Sequence, residues 1–186
     1  PVHMWVPDVY EGSATSTTLY LSAVPKLAAF AILLRLLISG LGGWLEIWQD
    51  VILVAAVLSI GLGNIIAIAQ SNIKRMFAYS TISHMGFLLL GFSTAGELGL
   101  SAAMMYTLIY MFTTLVAFGV VLALSRPGFE CDQLDDLRGL NRRNPLLALM
   151  MLVAMFSLAG IPPTAGFFAK LFVLEAALEA GFIEIV

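Results

Sequence analysis

The sequence predicts an all-α protein, a polytopic bundle of about five transmembrane helices in which the last span is broken. The composition is the first observation. Of 186 residues, 60% are hydrophobic and 11% are charged, whereas a soluble domain carries about 25% charged residues. The second observation is a set of long apolar segments, and the third is a glycine and two prolines inside the last of them.

Composition also excludes several classes of function. The low charge and high apolar content argue against a cytosolic enzyme, a nucleic-acid-binding protein and a disordered chain. Nine basic residues against twelve acidic ones give a net charge of −3, too balanced to indicate a charged partner. The single cysteine, Cys131, excludes an internal disulfide and a cysteine-based metal site. The lipid bilayer is therefore the expected surrounding, and no nucleic acid is expected as a partner.

Five segments are long and apolar enough, or nearly so, to cross a hydrocarbon core, which needs roughly 20 residues. The predicted spans are about 17–38, 51–69, 77–95, 100–124 and 146–180. Gly160, Pro162 and Pro163 interrupt the fifth span. Proline removes a helical hydrogen bond, and irregular backbone at membrane depth needs a cover of protein or water. We therefore expect the break to lie in a hydrated pocket. Because the chain begins inside a dense motif and ends in an apolar stretch, we expect it to be a piece of a longer membrane protein.

The distribution of lysine and arginine predicts the orientation. Lys74 and Arg75 lie between the second and third spans, and four arginines lie in the loop 125–145. The alternate loops, 39–50 and 96–99, contain no basic residue. Because basic residues mark cytoplasmic loops, both basic loops are predicted to be cytoplasmic, in a multi-pass protein of the cell inner (plasma) membrane. Within loop 125–145 the arginines are matched by four acids, which indicates a self-neutralising surface loop.

Ionisable side chains at membrane depth are costly and mark functional sites. Lys26 lies near the middle of the first span, with no acidic residue at similar depth to pair with it. A buried lysine without a counter-ion can release and take up a proton. The alternative is a lysine that only holds two helices together.

His84 lies near the centre of the third span, on one helical face with Ser80 and Ser83. Histidine suits proton relay, although a lone histidine on an apolar helix is as often a packing residue. The row Thr107, Tyr110 and Thr114 on the fourth span can either hold water or join helices. Ser59 and Gly63 indicate close helix packing.

Lys170 follows the break in the fifth span, seven residues after Pro163. Its position beside irregular backbone favours a functional role. The alternative is an interfacial lysine paired with Glu175 or Glu179, although an offset of five is poor for an intrahelical pair. Lys74 lies beside Arg75, and considered alone this position is more typical of a cytoplasmic anchor.

Four sequence blocks resemble the antiporter-like membrane subunits of respiratory complex I. The blocks are PVHMWVPDVYEGSAT, VPKLAAFAILLRLL, QSNIKRMFAYSTISHMGFLLLG and SLAGIPPTAGFFAKLFVL, and together they span nearly the whole chain. The resemblance implies a fold of two inverted helix bundles with broken helices, joined by a line of ionisable residues and water. It places Lys26 on the central connecting lysine, Lys170 on the distal lysine, and His84 and Lys74 on polar positions between them.

The resemblance also implies the partners and cofactors. The expected function is proton translocation coupled to quinone reduction elsewhere in an NADH-dependent complex, alongside its other membrane subunits. No cofactor is expected to bind this chain, because it has no phosphate-binding loop, cysteine cluster or paired buried histidines. The alternatives are an Mrp-type cation/proton antiporter subunit, which shares the scaffold, and a purely structural membrane scaffold.

Overall fold

The computed structural model describes residues 3–126 and 128–183, and these residues are mostly helical. The helices are α1 Val6–Gly12, α2 Thr15–Leu33, α3 Leu45–Ile68, α4 Ile73–Ser93, α5 Glu97–Leu124, α6 Leu140–Arg143, α7 Pro145–Ala159 and α8 Ala165–Glu179. A π-helical segment, Leu34–Gly40, extends α2, and short 3-10 turns precede α3 and α6. The predicted all-α class is confirmed.

The helix lengths fit a membrane protein. Three segments, Thr15–Gly40, Gly42–Ile68 and Glu97–Leu124, are long and apolar enough to cross a bilayer. Helix α4 has 21 residues but carries more polar side chains. The fifth predicted span is split into α7 and α8, of 15 residues each. At 1.5 Å per residue each covers about 22 Å, less than a hydrocarbon core of about 30 Å.

Helices α4 and α5 form the inside of the bundle. Helix α5 packs against α2, α4, α7 and α8, and α4 packs against α1, α3, α5 and α8. An aromatic cluster joins these elements near one end, with the ring of Phe118 at 5.1 Å from Phe77 and 5.7 Å from Tyr10. The polar residues of α4 therefore point into protein rather than into lipid.

The most extensive helix contact, between α3 and α4, depends on glycine. A Cβ at Gly63 would lie 2.7 Å from the backbone nitrogen of Ser83, and one at Gly86 would lie 2.8 Å from the carbonyl of Ala56. Such distances leave no room for a side chain. Ser59 is buried beside this contact. The close packing predicted at Ser59 and Gly63 is therefore present, and α3 fixes the position of α4.

The two basic loops meet at one end of the bundle. The backbone N–H of Ile73 donates to the carbonyl of Asp132 at 2.7 Å, and that of Leu134 donates to the carbonyl of Ser71 at 3.0 Å. Arg75 also forms a 2.5 Å ion pair with Glu11 of α1. The loop charges predict that both basic loops lie on the same side of the membrane, and their contact at one end of the bundle agrees with that prediction.

Cys131 is poorly suited to a labelling experiment that tests which side of the membrane the basic loops face. Its side chain is buried, and burial raises the pKa of the thiol, so little reactive thiolate forms. A test of orientation therefore needs the Cys131→Ala background and a new cysteine at an exposed position. Asn141 and Glu97 are exposed at opposite ends of the bundle.

We predict that in sealed right-side-out vesicles a membrane-impermeant maleimide labels Glu97→Cys and leaves Asn141→Cys unlabelled until detergent is added. The physical reason is that basic residues mark cytoplasmic loops, so both basic loops are predicted to lie on that side. The two variants control for each other, because each reports an exposed site in the same background. Labelling of Asn141→Cys alone before detergent would reverse the orientation.

Candidate functional site

Lys26 is held inside the bundle by hydroxyl groups. Its Nζ donates to the hydroxyl of Tyr110 at 3.0 Å and to Oγ1 of Thr81 at 3.2 Å. It also lies 4.6 Å from the centre of the Tyr110 ring, within the range of a cation–π contact. Among the described residues no carboxylate forms an ion pair with it. The lysine predicted to lack a counter-ion is therefore stabilised by dipoles and an aromatic face.

The two hydroxyls that contact Lys26 also bond to each other. Thr81 Oγ1 and the Tyr110 hydroxyl lie 2.7 Å apart, and Thr81 donates to the carbonyl of Phe77 at 2.8 Å. Because a hydroxyl has one proton, Thr81 then accepts from both Lys26 and Tyr110. This arrangement leaves Tyr110 as the group that connects Lys26 to the rest of α5.

His84 lies one turn further along α4 and is almost fully buried. Its Nδ1 is joined to the hydroxyl of Tyr106 by a 2.5 Å hydrogen bond. Its ring centre lies 4.8 Å from that of Tyr110, so His84 is adjacent to the group that holds Lys26. Thr107 and Thr114, by contrast, donate to carbonyls of their own helix. The hydroxyl row of α5 therefore contributes to the site through Tyr110, and the threonines stabilise the helix.

The break between α7 and α8 leaves two carbonyl groups without backbone donors, and the ammonium of Lys170 donates a hydrogen bond to each of them. Gly160 has a φ of 80° and ends α7, and the N–H groups of Gly160 and Ile161 both donate to Phe156. Lys170 Nζ donates to the carbonyls of Leu158 and Ala159 at 3.0 and 3.1 Å. A cation at a helix C-terminus is favoured by the helix dipole.

This contact bears on two expectations for Lys170. The sequence predicted that protein or water would cover the break, in a hydrated pocket, and the ammonium of Lys170 itself bonds two of the exposed carbonyls. The alternative pairing with Glu175 or Glu179 is not present among the described ion pairs. The physical reason is direction, since Lys170 lies on the first turns of α8 and reaches back to the end of α7.

A close contact between the two half-helices brings Lys170 to that position. The backbone N–H of Gly166 donates to Oγ of Ser157 at 3.1 Å. A Cβ at Gly166 would lie 1.8 Å from the carbonyl oxygen of Ser157, so only glycine fits. The start of α8 therefore lies directly against the end of α7.

Two cavities connect His84 with Lys170. A small one, with about 10 Å³ open to water, has room for about one molecule and borders His84, Tyr106, Ser157 and Lys170. A larger groove of about 460 Å³ also borders His84 and Lys170, together with Ser80 and Ser83. Polar side chains line both spaces, so water can bridge the histidine and the lysine.

Lys74 lies apart from these three residues. It is on the first turn of α4, its side chain is 2% exposed, and its Nζ forms a 2.5 Å ion pair with Glu130. It also donates to the carbonyl of Ser13 at 3.1 Å. The side chain is therefore held inside the protein against Glu130 and Ser13 and does not extend into the headgroup region. Glu130 likewise pairs outside its loop, which is therefore not fully self-neutralising.

Sequence reasoning missed Tyr106 and Glu130. Tyr106 lies four residues before Tyr110, so extending the hydroxyl row of α5 by one turn would have found it. Glu130 is one of several acids in a polar loop, and its partner is 56 positions away in sequence. No local signal distinguishes it from its neighbours.

The comparisons with known proteins agree with this architecture. The family model for "NADH:quinone oxidoreductase/Mrp antiporter, TM" matches residues 1–186. The chain belongs to this family. Its resemblance to antiporter-like membrane subunits is thereby confirmed.

Two curated relatives of this antiporter family illustrate the match. The chain is 58% identical over 186 residues to NADH-quinone oxidoreductase subunit N of Nitrosomonas europaea, covering all of the chain and 39% of that protein. It is 57% identical over 183 residues to subunit N of Thiobacillus denitrificans, covering 98% of the chain and 38% of that protein. The chain therefore spans about two fifths of the length of these relatives.

Two solved structures of the family share the fold. The first is respiratory complex I from Thermus thermophilus with bound aureothin, with a TM-score of 0.81, 38% identity, and coverage of 97% of the chain and 39% of its counterpart. The second is the Mrp complex from Dietzia sp., with a TM-score of 0.88, 31% identity, and coverage of 100% and 34%. The antiporter-like membrane fold is shared by redox-linked and antiporter complexes.

We predict that Gly166→Ala disrupts the site through the broken helix. The added methyl group clashes with Ser157, and overpacking of this kind costs typically about 1–3 kcal/mol. Thermal unfolding of the full-length protein in detergent should therefore begin at a lower temperature. Gly61→Ala is the matched control, because a Cβ there meets nothing within 4 Å. Equal unfolding temperatures for the two variants would contradict the close-contact argument.

Proposed function

We propose that this chain is part of a proton-translocating membrane subunit of an NADH–quinone oxidoreductase. The chain itself performs no redox chemistry, and NADH and quinone are handled by other subunits of the complex. Its partners are the other membrane subunits and the lipid of the bacterial inner membrane. The names of the two curated relatives described above support this proposal, as do the contacts of Lys26, His84 and Lys170.

The observation that carries the proposal is a line of exchangeable groups across the inside of the bundle. It runs from Lys26 through the Tyr110 hydroxyl to the neighbouring His84, and from His84 through Tyr106 and the cavities to Lys170. A line that crosses four helices within the membrane suits lateral transfer of protons. A scaffold needs no such line, since helices in membranes associate through small residues alone.

The environments of the two lysines suit a change of charge. Each ammonium is stabilised by dipoles, which come from hydroxyl groups at Lys26 and from helix carbonyls at Lys170. Neither lysine forms an ion pair in the described structure. A positive charge arriving nearby repels the bound proton, and this repulsion is large where the dielectric constant is low. Arrival of a proton at His84 therefore promotes release of a proton from a neighbouring lysine.

A cation/proton antiporter subunit is the second candidate function, and the shared fold with the Mrp complex favours it. The higher identity to subunit N, 58% against 31%, favours the oxidoreductase. Purification of the complete protein from its native membrane distinguishes the two. Co-purification with NADH-oxidising flavin and iron–sulfur subunits supports the oxidoreductase, and their absence from an intact complex supports the antiporter.

We predict that Lys170→Ala, in the complete complex, preserves assembly and removes most of the proton pumping supported by this subunit. Lys170→Arg should impair pumping as well, because arginine remains protonated under all accessible conditions. The measurement is the number of protons translocated per electron in reconstituted vesicles, together with the rate of NADH oxidation. Normal stoichiometry and rate in Lys170→Ala would contradict the proposal and favour a structural role for this lysine.

We predict that Tyr110→Phe slows proton-coupled turnover several-fold or more while the bundle still assembles. The change removes the hydroxyl that bonds both Lys26 and Thr81 and retains the ring that packs against His84. Tyr20→Phe is the matched control, since Tyr20 is 58% exposed on the surface of α2. Turnover is measured as NADH-driven acidification of vesicles. Equal rates in the two variants would show that the Tyr110 hydroxyl is not part of the route.

A further inference from the structure

The end of the bundle that carries the basic loops contains an ion pair that connects the surface with the interior. Lys74 is 2% exposed, and its partner Glu130 is 43% exposed. Glu130 also lines an open crevice of about 230 Å³ together with Thr15, Ser125 and Arg126. One member of the pair therefore meets bulk solvent, and the other faces only protein.

The loop that carries Glu130 is held firmly in this position. Its backbone pairs with residues 71–73, at the start of α4. Thr15, on the first turn of α2, donates to the Glu130 carboxylate at 3.1 Å. The bond from Lys74 keeps the pKa of the Glu130 carboxyl below its usual value, so at neutral pH the carboxylate is ionised.

Polar groups continue from Lys74 towards Lys26. Lys74 donates to the backbone of Ser13, whose hydroxyl lies 2.8 Å from that of Thr18. Thr18 is fully buried and also bonds to the carbonyl of Tyr10 at 3.3 Å. The ring of Tyr10 lies 5.7 Å from Nζ of Lys26. The segment from α1 to α2 thus places hydroxyl and carbonyl groups between the two lysines, with the Tyr10 ring beside Lys26.

We propose that Glu130 and Lys74 form a proton port between the solvent at the basic-loop end and the buried line that begins at Lys26. This inference rests on the proposed function and adds to it the place where protons enter or leave. Glu130 exchanges protons with the crevice, and Lys74 exchanges them inward along the hydroxyl groups of Ser13 and Thr18.

The transfer step balances without any further reactant. The Lys74 ammonium releases one proton inward and becomes a neutral amine. The Glu130 carboxylate takes one proton from hydronium in the crevice, forming an O–H bond, and passes it to the amine, where an N–H bond replaces it. Both groups return to their starting states, and one proton has moved from solvent to the interior. The reverse order moves a proton outward.

A purely structural role for the pair makes different predictions from a port. A clamp needs opposite charges and hydrogen bonds, and arginine supplies both, whereas a port needs a cation that can lose its proton. Lys74→Arg should therefore retain the clamp and lose the port. Glu130→Gln has the size of the native residue and can still accept from Thr15 and Lys74, but it cannot accept a proton at neutral pH.

The test uses Lys74→Arg and Glu130→Gln in the complete complex, with proton pumping per electron and NADH oxidation measured in reconstituted vesicles. The port predicts normal assembly with at least a several-fold loss of pumping or of tightly coupled turnover in both variants. The matched control is the exposed pair at the same end, Arg75 and Glu11, 2.5 Å apart. Arg75→Lys and Glu11→Gln should both pump normally.

Glu130→Gln decides the result if the larger arginine prevents assembly of the Lys74 variant. If the Glu130→Gln complex assembles and pumps at the full ratio of protons per electron, the port is overturned. The port is also overturned if fewer Glu130→Gln complexes assemble but those that do assemble pump normally. Lys170→Ala is measured in parallel. If it loses pumping while Glu130→Gln does not, the proposed function stands and the port fails, whereas normal pumping in both contradicts the proposed function itself.

Discussion

The need to satisfy backbone carbonyls away from water governs the arrangement of the site. When α7 ends at Gly160, the carbonyls of Leu158 and Ala159 lose their helical donors in a medium that supplies none. The ammonium of Lys170 bonds both of them. This contact requires α8 to start against the end of α7, and the absence of a side chain at Gly166 makes that possible. The same reversal of the chain places Lys170 beside the cavities that border His84.

The break therefore makes the charge state of Lys170 and the hydrogen bonding of α7 interdependent. A protonated lysine satisfies the two carbonyls, and a neutral amine donates more weakly to the same groups. Loss of the proton favours entry of water at the break or movement of α8. Lys26 differs in this respect, because its hydroxyl partners on α4 and α5 can reorient their protons without moving backbone. One lysine is thus linked to the position of a helix, and the other to a hydrogen-bond network.

Hydropathy predicted the helices well, because the cost of burying polar backbone leaves few alternatives for long apolar segments. The ends of the spans moved by a few residues where π-helical and 3-10 turns extend α2 and precede α3. The candidate residues Lys26, His84 and Lys170 were found because charge at depth is rare. Their partners were less accessible to sequence reasoning. Lys170 bonds to backbone carbonyls, which no side-chain pattern reveals, and Glu130 meets Lys74 only because a loop pairs with the start of α4.

The described structure holds its three lysines in two kinds of environment, and the difference has an energetic consequence. Lys74 is paired with a carboxylate, so a proton passed from one to the other leaves the pair close to neutral, and little desolvation energy changes. Lys26 and Lys170 have only dipoles around them, so each gain or loss of a proton changes the net charge inside a low-dielectric region. Transfer of a proton between Glu130 and Lys74 is thus electrostatically mild, whereas each gain or loss of a proton at Lys26 or Lys170 strongly affects neighbouring groups. That strong effect is what allows a charge change at one central group to move the proton on another.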